Sequence, residues 1–146
     1  MGGIDMKCKE LQIGDWIQDK NGNPMQIIGV GDDYAYATFE GNEGDPWEFN
    51  DKDDQPCAIE ITDDILKQNK WEVQGYALLP SEHYFVKDDG GNHLLWSHGT
   101  LSIWLACGED NDGVFSDVVL PCKYVHQLQH ALRLCGLDEL ADKFKV

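Results

Sequence analysis

Turn-forming residues interrupt the first third of this chain at short intervals, and no other feature restricts its fold as strongly. Gly14-Asp15, Asn21-Gly22-Asn23-Pro24 and Gly31-Asp32-Asp33 each break an apolar run. Glycine and asparagine supply the conformations that tight reversals need, and proline withholds an N–H from pairing. The segments between them are too short for a stable helix but suit strands. Met25–Val30 and Tyr34–Phe39 read as strands, the second with Tyr34, Tyr36 and Thr38 alternating with Ala35, Ala37 and Phe39. With Leu11, Ile13, Trp16 and Ile17 around the first turn, the pattern predicts a meander of the small-barrel, SH3-like kind.

Glu40–Gln55 reads as a long polar loop, with two glycines, Pro46 and seven acids against one lysine. Trp47 and Phe49 within it act as anchors that pin the loop to the body, since disordered linkers rarely keep such residues. A boundary falls near Pro56, giving an SH3-like β subdomain over 6–56 and an α+β subdomain over 57–146. Met1–Asp5 reads as a leader, with Met6 an alternative start.

The second part opens with a strand at Cys57–Ile61. Thr62 is an N-cap for a short helix carrying Asp63 and Asp64 in its first turn and closing at Asn69. Strands follow at Trp71–Leu79, His83–Lys87, His93–Ser97, Leu101–Ala106 and Val114–Leu120. From Lys123 the apolar period becomes helical: Tyr124, Leu128, Ala131, Leu132 and Cys135 share a face, and Gly136 stands where a helix ends. The fold class is α+β: a mostly antiparallel sheet, a short helix, and a C-terminal amphipathic helix over 123–135.

Charge narrows the function. The 146 residues hold 27 acids against 11 lysines and arginines, a net charge of −16. Five each of Trp, Tyr and Phe exclude a disordered acidic tail. Phosphate contacts require cations, so direct nucleic-acid binding is not expected, nor is an anionic membrane surface. No apolar run is long enough to span a bilayer and no secretory signal precedes the patterned region, so a cytoplasmic setting is expected. The charge is uneven: residues 31–64 carry twelve acids against Lys52 alone, a balance of −11, while residues 121–146 are close to neutral. Such a surface steers basic partners.

Chemistry-bearing patterns are few. His126 and His130 share a helix face at the spacing that can ligate zinc, but Gln127 stands where a zincin needs its glutamate. Cys122 is two turns from His130, about 12 Å along the helix, too far to join one ion. His83 and His93 flank a hairpin and could face each other, with His98 and Cys107 nearby in sequence. No serine lies in a nucleophile elbow, and no glycine-rich phosphate cradle exists. The acidic turns at Asp51–Asp54 and Asp110–Gly113 lack the spacing of a calcium loop. Cys8, Cys57, Cys107, Cys122 and Cys135 are widely spaced and odd in number, which reads as reduced thiols. No cofactor, catalytic residue or metal is assigned; His126 and His130 are the weak metal candidates. The better candidates form a binding surface: Trp16, Tyr34, Tyr36, Trp47 and Phe49, with Asp51, Asp53 and Asp54 beside them.

Two segments, "ITDDILKQNKW" and "KYVHQLQHALRLCGLDEL", resemble a family of small uncharacterised proteins from Bacteroides-type gut bacteria and their phages or mobile elements. The likeness covers roughly residues 57–140. It implies a bacterial or phage accessory role and brings no activity or cofactor. Three functions follow as expectations. The first is a non-enzymatic protein-interaction module whose protein partner, basic or otherwise, the sequence leaves open. The second is an acidic nucleic-acid mimic that inhibits a basic protein. The third is a cryptic hydrolase or metalloprotein using His126 and His130.

Overall fold

A computed structural model describes residues 7–39, 44–52, 56–74, 83–87, 93–106 and 113–146. The chain is α+β, with two antiparallel sheets and three short helices among the described residues, and its contacts gather into two units. Unit one is Met1–Glu60 with Tyr124–Val146; unit two is Ile61–Lys123.

In unit one a single 3-10 turn, Cys8–Glu10, precedes four strands: β1 (Trp16–Gln18), β2 (Pro24–Val30), β3 (Tyr34–Thr38) and β4 (Trp47–Asn50). They pair in chain order as a meander, and the described residues close neither sheet of the protein. The strand β4 replaces part of the loop expected over 40–55: Ala37 pairs with Trp47 and Ala35 with Phe49. Alternation decides the faces. Met25, Ile27, Ala35, Ala37 and Phe49 point into the core with Cys8, Leu11 and Ile17. A bulge at Ile28 shifts the register between Ile27 and Gly29, bending β2 and increasing its twist. Cys57 bridges Gln18 on the outer side of β1, and Glu60 bridges Tyr124; no strand forms over Cys57–Ile61.

The same unit takes back the end of the chain as α2 (Val125–Leu134) and α3 (Asp138–Asp142). The sequence split near Pro56 assigned this helix to the second part, whereas the contacts join it to the first sheet. Val125, Leu128 and Leu132 are fully buried, each contributing roughly 1.5–3 kcal/mol. Gln127 Oε1 accepts from the Tyr124 N–H at 3.3 Å, capping the first turn. At the other end Gly136 has φ +80°, its N–H donates to Arg133 O and that of Leu137 to Leu132 O. This is the Schellman pattern, with Leu137 and Leu132 both buried.

Unit two holds α1 (Asp63–Gln68) and a five-stranded meander: β5 (Glu72–Gln74), β6 (His83–Lys87), β7 (His93–Ser97), β8 (Thr100–Ala106) and β9 (Gly113–Pro121). Thr62 Oγ1 accepts from Ile65 N at 3.2 Å, the expected N-cap. Tyr84, Leu94, Trp96 and Leu101 are buried, and Trp96 Nε1 donates to Cys122 O at 2.7 Å. His98 and Gly99 both have positive φ, the backbone of a two-residue hairpin turn. Among the described residues no helix is long and apolar enough to cross a membrane.

Candidate functional site

At the end of the first sheet where β1 stops and β4 starts, Asp19, Phe39, Asp45, Pro46, Trp47 and Glu48 line a cleft of ≈400 Å³. Asp19 follows β1 while Trp47 and Glu48 belong to β4, the opposite edge of the sheet, so the sheet curls enough to bring its two edges to one opening. Phe39 and Trp47 form the apolar wall. Their ring centroids are 6.5 Å apart at 41°, and Trp47 continues into Phe49 at 5.2 Å. Phe49 is buried and fixes the wall from beneath, while Phe39 and Trp47 stay half-buried. Among the described residues that line it, three of six are acids and none is a cation.

The Asp19 carboxylate is set in place by its own turn. Oδ1 accepts from the backbone N–H groups of Asn21 and Asn23 at 2.9 and 2.8 Å, and Oδ2 from Asn23 Nδ2 at 3.0 Å. The bond from the Asn23 backbone, with those beside it, holds Asp19 below the usual carboxylate range. The reversal depends on Gly22, whose φ is +86°. Asn21-Gly22-Asn23-Pro24 thus makes the hairpin and places a fixed negative charge at the cleft.

The structure separates the sequence candidates. Trp47 lines the cleft. Phe49 is 3% exposed and belongs to the core, so it presents no surface. Trp16 is half-buried and gives its Nε1–H to Phe144 O at 2.6 Å, a bond that seats the chain end. Tyr34 and Tyr36 meet edge to face at 5.7 Å on the outer side of β3 and do not line the cleft. Asp51 is structural: Oδ1 accepts from Cys8 N at 2.7 Å, which lowers the Asp51 pKa. Asp53 and Asp54 lie outside the described residues, as do Met1–Asp5 and Cys107. Phe39, Asp45, Pro46, Glu48 and Asp19 were not singled out from the sequence. The legible signal was Trp47 between acids, read as an anchor inside a loop.

The two helix histidines meet a different constellation. Asp15 is fully buried; its Oδ2 lies 2.6 Å from His130 Nε2 and its Oδ1 2.7 Å from Arg133 Nη1. Gln12 donates its N–H to the same carboxylate, and Gln12 Oε1 accepts from Arg133. One turn earlier on the helix, His126 is buried, with its Nδ1 lacking a hydrogen-bond partner. Burial, with His130 adding to it against the carboxylates of Asp15 and Glu10, pushes the ring down to about 4. His130 spends Nε2 on a carboxylate and meets His126 edge to face at 5.7 Å. Among the described residues no three histidine, cysteine or acidic side chains gather as a metal centre would require.

The β6–β7 register also parts His83 from His93. His93 pairs with Lys87, and His83 lies four positions farther along β6, roughly 13 Å at strand rise. The side chains of both lie outside the described residues. In comparison with known proteins, no family model, no curated protein and no solved structure matches the chain.

Proposed function

We propose that the chain is a non-enzymatic protein-interaction module that grips a basic segment of a partner protein in the cleft of Asp19, Phe39, Asp45, Pro46, Trp47 and Glu48. The observation that carries this reading is the composition of that wall: two half-buried aromatic rings among three acids, with no cation among the described residues that line it. Aromatic surface supplies contact area, and the surrounding carboxylates select a positive group and steer its approach. The curled meander acts as an SH3-like scaffold, and the setting is a bacterial or phage accessory system, an assignment carried by the sequence resemblance alone.

The test is titration of the full chain with fluorescent peptides carrying two to four lysines or arginines, and with glutamate counterparts. Binding of the basic peptides should weaken about tenfold or more between 0.05 and 0.5 M salt, since exposed charges are screened there. Glu48→Gln and Asp45→Asn should each weaken it further. Equal binding of acidic and basic peptides, or affinity unmoved by either variant, would overturn the proposal.

A further inference from the structure

The donors around Asp19 bear on which cation the cleft selects. Three N–H bonds already occupy the carboxylate, two on Oδ1 and one on Oδ2. A primary ammonium brings three N–H donors and a guanidinium five, and each must find an acceptor when water leaves. Asp19 offers such a group its charge but little remaining hydrogen-bonding capacity. Beside it stand Phe39 and Trp47, whose faces attract positive charge without accepting a conventional hydrogen bond. Asp45 and Glu48 add negative charge to the same opening, and at Asp19 itself a fixed negative field next to aromatic faces suits a cation that carries methyl groups in place of N–H donors.

We infer that the cleft of Asp19, Phe39 and Trp47 receives a methylated ammonium group, carried by a lysine side chain of the basic partner. This inference rests on the proposed function and names the group that the partner presents. A volume of ≈400 Å³ accommodates a long side chain together with part of the backbone that bears it, which favours a peptide-borne cation over a small free one. Trp47 supplies the electron-rich face, Phe39 extends the apolar wall for the methyl groups, and Asp19 supplies the charge.

The experiment is calorimetric titration of the full chain with one basic peptide in four forms: lysine, dimethyl-lysine, trimethyl-lysine and arginine at the same position. Tetramethylammonium chloride is titrated alone in parallel. The trimethyl form should bind about tenfold tighter than the lysine form. Trp47→Leu should abolish that preference, and Trp47→Phe, which keeps a ring and preserves the fold if leucine does not, should reduce it. Asp19→Asn keeps a side chain able to cap the turn and should weaken all cationic forms. If lysine or arginine binds as tightly as trimethyl-lysine, the inference fails while the basic-segment reading stands. If no form binds, both fail. If tetramethylammonium alone binds as tightly as the peptide, the partner-borne lysine is overturned in favour of a small quaternary cation.

Discussion

Asp15 Oδ2 and His130 Nε2 lie 2.6 Å apart although 115 positions separate the two residues, and Asp15 is fully buried. With Arg133 Nη1 on the other carboxylate oxygen at 2.7 Å, the pair fastens the turn before β1 to the last long helix. Asp15→Asn keeps the shape and removes the charge, leaving the largely buried guanidinium of Arg133 with only the exposed Asp142 carboxylate, 4.0 Å from its Nε, as a counter-ion. Removing one partner of a buried pair costs about 3 kcal/mol or more, and the variant's urea midpoint should fall accordingly. His130 is about a quarter exposed, so His130→Ala should cost less, about 1 kcal/mol. Equal losses for the two variants would contradict this ordering.

Gln129 makes the second fastening. It is fully buried, its Oε1 accepts from Trp16 N at 2.9 Å, and its Nε2 donates to Gly14 O at 2.8 Å and Ala141 O at 3.2 Å. Gln129→Leu leaves one N–H unpaired and takes a donor from two carbonyls, a loss of about 1–3 kcal/mol. Gln129→Glu should be worse, because its second oxygen would face those carbonyls. Chemical denaturation of both variants checks the order. A glutamate variant as stable as wild type would contradict the role of the Gln129 N–H donors.

The meander and the final helix were legible because their signals are local. The turns around Asn21–Pro24 and Gly31–Asp33 mark the strand ends, and the 3.6-residue period from Tyr124 to Cys135 marks a helix. The fastening was not legible. Asp15 beside Gly14 looks like an ordinary turn acid, and nothing nearby announces a partner in the C-terminal helix. His126 and His130 drew attention as possible ligands because spacing is visible in sequence, whereas the carboxylate facing one of them comes from the first strand's turn. Trp47 and Phe49 were rightly anchors, but anchoring occurs through pairing with β3, which acidic composition conceals. The cleft followed the same logic: Asp19 and Trp47, at opposite edges of the sheet, line one opening.

Thiol chemistry offers an independent check on burial. Cys8 and Cys122 are 1% and 2% exposed, and burial pushes both thiols up to about 12, with Asp51 adding to the effect at Cys8. At pH 8 the reactive thiolate is then roughly one part in ten thousand of each. Cys57 and Cys135 are partly accessible, although burial also raises Cys135. Among the four described cysteines, iodoacetamide followed by peptide mass mapping should label Cys57 first and Cys135 more slowly. Cys8 and Cys122 should react only after denaturation, and rapid labelling of either in the native chain would contradict their placement.

The pH dependence of stability should carry the signature of His126. Its folded value is about 4 against an ordinary 6.5, with burial outweighing the opposing carboxylates of Asp15 and Glu10. Above pH 6.5 the ring is neutral in both folded and unfolded chains and contributes no slope. Between pH 6.5 and 4 the unfolded chain binds the proton and the folded chain does not, so stability falls as pH falls. The loss levels off below pH 4, having reached roughly 3 kcal/mol. His126→Leu removes the titrating ring together with its unpartnered Nδ1, so its stability at pH 7 should match or exceed that of the wild type. The acidic side chains titrate in both proteins, so the wild-type minus variant difference reports His126 together with its coupling to Asp15, Glu10 and His130. That difference, measured by urea unfolding at half-unit steps, should grow from pH 6.5 to pH 4 and then stay constant. A flat difference across the window would mean that His126 meets water in the folded state.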